Sequence, residues 1–262
     1  MTILATILEA KRRRLQAAVA VTDVAALVER AKAESAESTP HRLRKALQNQ
    51  TGSNIIAEFK RASPSKGLLN QTAGPAAFAR SYQEGGACAV SVLTEEDHFL
   101  GSLDDLLQVR EAIDIPVLRK DFLLDEFQVY EAAAAGADAV LLIVAILSDG
   151  QLFELRRLAE EELCIDALVE VHTLDEMQRA RAAGAKLIGV NNRDLNSFGV
   201  SLDVSRELIK HAQSDEILVS ESGLKTLEDI LELRRLGYCG FLIGETLMRS
   251  PEPVNELKRL VN

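Results

Sequence analysis

The sequence predicts a (β/α)8 barrel, an α/β fold of the TIM type, carrying an N-terminal helical extension. Three observations predict it: eight apolar runs of strand length recur along the 262 residues, they alternate with segments of helical spacing, and every other helix exit carries a glycine. From Glu58 to Gly244, taken as matching strand ends, the repeat is about 27 residues, close to one eighth of a typical barrel. A doubly wound open sheet is the competing arrangement of the same elements.

Residues 1 to about 50 precede the first run and hold amphipathic stretches, with Ile3, Ile7, Leu8 and Leu15 on one side of a helix. They predict a helical extension over residues 1–50 packed on a barrel of residues 51–262, the whole forming one domain, since no linker or low-complexity tract divides the chain after residue 50. The strand runs are IIAEF from Ile55, CAVSVL from Cys88, PVLRKDF from Pro116, AVLLIV from Ala139, IDALVEV from Ile165, KLIGVNN from Lys186, EILVSES from Glu216 and GFLIGE from Gly240. Gly86, Gly136, Gly184 and Gly237 precede the second, fourth, sixth and eighth, where a glycine ends a helix in the left-handed conformation that other side chains resist.

Composition, with 47% hydrophobic and 27% charged residues, excludes disordered, collagen-like and membrane-spanning classes. Cys88, Cys164 and Cys239 form no CxxC pair and read as reduced core fillers, and the opening MTILATILEAKRRR reverses the charge order of a secretory signal, so a cytoplasmic protein is expected. The Asn-x-Thr triplets at Asn49 and Asn70 are then chance matches. A net charge of -10 argues against nucleic acid and anionic membranes as partners. An anionic small substrate would need a local cluster of positive charge.

Such a cluster is visible at the strand ends. Strands of a parallel barrel are covered on both faces and should be apolar, so charge there needs a reason. Period-two alternation puts Glu58 with Lys60, Glu170 with His172, and Asn191 with Arg193 on shared faces, while Lys120 follows Leu118 and Glu221 follows Val219. All point to the C-terminal rim, where barrels of this class place their chemistry. A solvated loop start accounts for any one of them. Jointly an arranged network completed by a charged ligand is the better account, because an uncompensated member of a buried ion pair costs on the order of 3–5 kcal/mol.

The segment SESGLKT from Ser220 and the segment IGET from Ile243 put glycines at turns after the seventh and eighth strands, where backbone N–H groups can approach a phosphate. The loop KRASPSKG from Lys60 to Gly67 adds three positive charges and suits a cover over an anion. Ordinary loop geometry remains open for each segment alone. No GxGxxG opens a helix, and Walker A, HExxH and GxSxG segments are absent. His41, His98, His172 and His211 are scattered, which argues against a metal site, though His172 falls near the rim.

The segments IAEFKRASPSKG, SVLTEEDHFLGS, LRKDF, ADAVLLIV, LVEVH, IGVNNRDL, SESG and FLIGETLM, in this order and nearly end to end, resemble the indole-3-glycerol-phosphate synthase family. The resemblance implies a lyase that closes the indole ring in tryptophan biosynthesis, with loss of carbon dioxide and water from 1-(2-carboxyphenylamino)-1-deoxyribulose 5-phosphate. It implies no cofactor and no metal, and a phosphorylated small-molecule substrate. It also implies a monomer or weak homo-oligomer, open to contact with other tryptophan-pathway enzymes.

Carried over by motif, Lys120 becomes the general acid on the carbonyl oxygen, and Glu170 and Lys60 the base and acid of the dehydration, with the division of protons among Glu170, Glu58 and Lys60 left open. Glu58 orients the lysines and keeps them charged. Asn191 and Arg193 hold the ring and its carboxylate, and Glu221 positions the sugar chain. Ser222, Gly223, Gly244 and Glu245 offer backbone donors to the phosphate, joined by Ser63 and Lys60; Glu245 serves through its backbone only, its carboxylate turned away. Pro64, Phe99, Phe122, Leu142 and Leu195 are candidates for the apolar ring pocket or, equally, for ordinary core. Two other readings stay open: a Schiff-base aldolase with Lys120 as nucleophile, and a catalytically silent phosphate-binding barrel.

Overall fold

A computed structural model describes residues 2–48, 52–64, 66–70, 74–194 and 199–261. Eight parallel strands close into a barrel: β1 Ile55–Phe59, β2 Ala89–Leu93, β3 Val117–Lys120, β4 Ala139–Ile143, β5 Asp166–Val171, β6 Leu187–Asn191, β7 Ile217–Glu221 and β8 Gly240–Ile243. Each strand pairs with its sequence neighbours, and β8 returns to β1 through Ile55 beside Phe241 and Ala57 beside Ile243. That closure excludes the open doubly wound sheet.

Three helices precede the barrel: α1 Ile3–Val21, α2 Val24–Glu37 and α3 Arg42–Leu47. Thr2 and Asp23 cap the first two by accepting the N–H groups of Ala5 and Ala26. Leu43 and Leu47 of α3 and Ile7 of α1 join the barrel interior, packing with residues such as Ile56, Leu118 and Leu168. Helix α2 packs instead on the outer layer, with Ala31 fully buried there. Among the described residues no helix is long and apolar enough to cross a membrane.

Between successive strands the chain returns through α4 Pro75–Glu84, α5 Leu103–Ala112, α6 Glu126–Ala134, α7 Asp149–Arg157, α8 Leu174–Ala182, α9 Asp203–Leu208 and α10 Leu227–Leu236, and α11 Glu245–Arg249 and α12 Pro253–Val261 follow β8. Alternation sorts each strand into two sets. Leu141 and Ile143 of β4 join the interior cluster, whereas Val140 and Leu142 pack under the helices. This corrects the expectation for Leu142: its parity on β4 points it away from the barrel mouth, and Leu141 and Ile143 stand there in its place.

Cys88 and Cys239, expected as core fillers, lie half-buried against the interior cluster, and burial pushes the Cys88 thiol up to about 12. The four exit glycines have φ of +93°, +76°, +86° and +121° at Gly86, Gly136, Gly184 and Gly237. Around Gly237 an added Cβ would meet nothing nearer than Ile209 at 3.6 Å, so the backbone alone requires glycine there. Gly237→Ala is expected to lower the free energy of unfolding by roughly 1–2 kcal/mol, read as a shift of the urea midpoint, with turnover unchanged.

Candidate active site

The register of the strands sets the rim. Lys120 stands level with Leu93, Glu170 with Ile143, and Asn191 with Glu221, so the charged ends of β3, β5, β6 and β7 rise around one opening. That opening is a cavity of about 700 Å³ walled by Glu58, Lys60, Lys120, Glu170, Asn191 and Arg193, with the turns after β7 and β8 on one side and Phe99 and Phe122 among its apolar wall. The two rings meet at 6.3 Å, tilted by 42°.

At the centre, the Lys120 ammonium lies 3.0 Å from Glu221 Oε2 and 3.2 Å from Glu170 Oε2. Both carboxylates are about 1% exposed, so water does little to screen the three charges. Burial works against the lysine's charge, but Glu221, Glu170 and Glu58 outweigh it, and its proton affinity rises above the ordinary range. The two glutamates share one cation and divide. Glu170, although buried, is drawn below its usual value by Lys120, His172 and Asn191. Burial pushes Glu221 up to about 7, against the pull of Lys120 and with the help of Glu170's charge.

The close packing of these acids depends on missing side chains. A Cβ at Gly189 on β6 would collide with Glu221 Oε1, and one at Gly244 would collide with Glu58 Oε1. Lys60 pairs with the same Glu58 oxygen. Two residues that sequence reasoning passed over fix the neighbouring loops. Asn192, on the opposite face from Asn191, donates to Glu221 O at 3.0 Å and Ser222 O at 3.1 Å and accepts the Ser205 N–H at 3.0 Å. It thereby holds Ser222 at φ +65°, a conformation that costs a non-glycine residue of order 1–3 kcal/mol.

The second is Asp121, fully enclosed behind the β3 end. It accepts from Lys11 Nζ at 2.8 Å, Thr94 Oγ1 at 2.7 Å and Arg119 Nη2 at 3.2 Å, tying α1 to the loops after β2 and β3. Through this tie Leu4 and Ile7 of α1 become part of the cavity wall. The amphipathic N-terminal pattern signalled packing of this helix, but nothing in it pointed to a buried Lys11.

Ser222, Gly223, Gly244 and Glu245 all reach the wall, beside the cations of Lys66, Lys225 and Arg249. The Glu245 carboxylate, expected to turn away from the phosphate, lies 3.6 Å from Lys66 Nζ and 3.5 Å from Arg249 Nε, so those two cations flank it. Ser63 and Pro64 stand outside the wall. Ala62–Ser63 pairs antiparallel with Gly67–Leu68, which folds the loop back on itself and brings Lys66 to the cavity in their place. Leu195 lies outside the described residues. Among the described residues no group of three His, Cys, Asp or Glu is arranged to hold a metal ion.

The family model for indole-3-glycerol phosphate synthase matches residues 4–260. The chain belongs to the indole-3-glycerol phosphate synthase family. Proteins of that name are 48% identical in Carboxydothermus hydrogenoformans, over 85% of each chain, and 43% identical in Desulforamulus reducens, over 99% of this chain and 97% of that one. Membership makes the chain a carboxy-lyase of tryptophan biosynthesis acting on a small phosphorylated substrate.

The division between the two glutamates has a consequence for folding. A carboxyl whose proton affinity rises on folding contributes stability that is fully present below its unfolded value, near 4.5, and lost as the pH climbs through about 7. Glu221→Gln removes that loss. The variant is expected to gain stability relative to the wild type between pH 5 and pH 8 in urea unfolding; a difference that stays constant with pH would place Glu221 in the ordinary carboxylate range.

Proposed function

We propose that the Lys120 ammonium is the general acid of the ring closure. The carbonyl oxygen of the open-chain sugar takes its proton as the aromatic carbon attacks the carbonyl carbon, and loss of carbon dioxide from that same ring carbon restores aromaticity. The new hydroxyl then leaves as water, with Lys60 as the acid and Glu170 as the base that removes the neighbouring C–H proton. The observation that carries this reading is the placement of one enclosed ammonium between Glu170 and Glu221, facing the cavity.

Position supports the remaining roles. Arg193 and Asn191 take the ring carboxylate and ring, since a guanidinium matches a carboxylate at two points. Phe99 and Phe122 supply apolar surface for the ring. Backbone N–H groups of Ser222, Gly223, Gly244 and Glu245 take the phosphate, with Lys66, Lys225 and Arg249 adding local positive charge to a chain of net charge -10. Glu58 pairs with Lys60 and orients it, and Glu221 holds Lys120 and raises its proton affinity while fixing the sugar chain. The reading also assigns a cytoplasmic enzyme that needs no cofactor, monomeric or weakly homo-oligomeric and open to contact with other enzymes of the pathway.

A Schiff-base aldolase needs a lysine that sheds its proton near neutral pH. Two carboxylates on Lys120 act in the opposite direction, raising its proton affinity. A silent phosphate-binding barrel needs the turns after β7 and β8 but gives no reason to enclose an ammonium between two acids.

The test is indole fluorescence with time on the anthranilate deoxyribulose phosphate, where a chain without tryptophan gives little background. Product is expected from the wild type, and Lys120→Ala is expected to lose about 10²–10⁴-fold in kcat. Full activity in Lys120→Ala, or a borohydride-trapped substrate adduct on Lys120, would overturn the assignment of Lys120 as the acid.

A further inference from the structure

Behind Glu170 stands a histidine for which the scheme above has no use. His172 Nε2 lies 3.5 Å from Glu170 Oε1, and on the other side of the ring Nδ1 lies 3.2 Å from Glu176 Oε2. The same Glu176 oxygen accepts the His172 backbone N–H at 2.6 Å. Glu176 is itself placed by the start of α8, where its backbone N–H donates to the capping Thr173 hydroxyl at 3.2 Å. Strand β5 and helix α8 therefore grip the imidazole from two sides.

Two details separate this arrangement from ordinary packing. The two oxygens of Glu170 are divided, Oε2 to Lys120 and Oε1 to His172. Moreover, among the described residues His172 Nε2 is buried without a hydrogen-bond partner, although it stands within ion-pair reach of that carboxylate. A buried polar nitrogen in that condition costs free energy unless an adjacent charge offsets it.

We propose that His172 is a positioning residue: as an imidazolium between Glu176 and Glu170 it keeps Glu170 a carboxylate and holds its other oxygen toward Lys120 and the cavity. The inference rests on the reading of Glu170 as the base. Among the described residues, the titratable groups acting on the ring are Glu170 from β5, Glu176 from α8 and Glu221 from β7. Burial alone would lower the proton affinity of His172; these three acids reverse that and carry it above the ordinary value of 6.5. The charged ring in turn helps draw Glu170 down.

The sign of the effect follows. Without the cation Glu170 binds its proton more readily, so the acid limb of kcat moves to higher pH. Profiles of kcat and KM against pH are to be measured for the wild type, His172→Gln, Glu176→Gln and Glu170→Gln, with thermal melting of each. For His172→Gln the acid limb is expected about one pH unit higher, where a one-unit shift is tenfold in kcat well below the limb, with KM within about twofold and melting near that of the wild type. Glu176→Gln is expected to shift the limb the same way by less. An unmoved limb in His172→Gln beside an inactive Glu170→Gln overturns the proposal, as does a pH-independent fall in kcat that tracks a lowered melting temperature. An active Glu170→Gln overturns instead the assignment of Glu170 as base.

Discussion

The structure turns on one ammonium held between two enclosed carboxylates. Lys120 reaches Glu221 and Glu170 at 3.0 and 3.2 Å in a setting where water scarcely screens them. Three charges in such a place are costly to assemble and strongly coupled once assembled. One acid stays ionised and the other is pushed toward neutrality, so the site keeps a charged ammonium beside an ionised carboxylate. A closed barrel is suited to this because strands far apart in sequence bring their ends to one rim, and β3, β5 and β7 each supply one member.

The cost of holding that trio is spread over the surrounding layers. Gly189 and Gly244 leave room for the carboxylates of Glu221 and Glu58, and Asn192 fixes the strained turn at Ser222. From the other side Lys11 reaches in from α1 to Asp121, next to Lys120, so the extension belongs to the site's framework and not only to its packing. Lys60, Lys120, Arg193, Lys66, Lys225 and Arg249 line one cavity, and under the proposed reading they meet the phosphate and carboxylate ends of the substrate and orient a flexible chain for an intramolecular attack.

Much of this was legible in the sequence, for reasons of period. Eight apolar runs, four exit glycines and polar residues at matching strand ends gave the closed barrel and the rim, because alternation and repeat length are local properties. What escaped was set by parity or by distant partners. Leu142 differs from Leu141 only by one step along β4, and a run of apolar residues buried on both faces carries no mark of which side is which. Asn192 faces away from Asn191 in a doublet of identical residues, and the Lys11–Asp121 pair spans 110 positions, so neither leaves a periodic trace. The hairpin that brings Lys66 to the wall in place of Ser63 and Pro64 depends on pairing of residues that have little strand character of their own.

The protonation of Lys120 is open to direct observation. In protein labelled with carbon-13 at the lysine Cε, resonances of exposed lysines should move as they titrate near about pH 10.4, while the resonance lost in Lys120→Ala stays at its ammonium position beyond that point. A Lys120 resonance at the free-amine position between pH 7 and pH 8 would contradict a charged acid at the centre of the site.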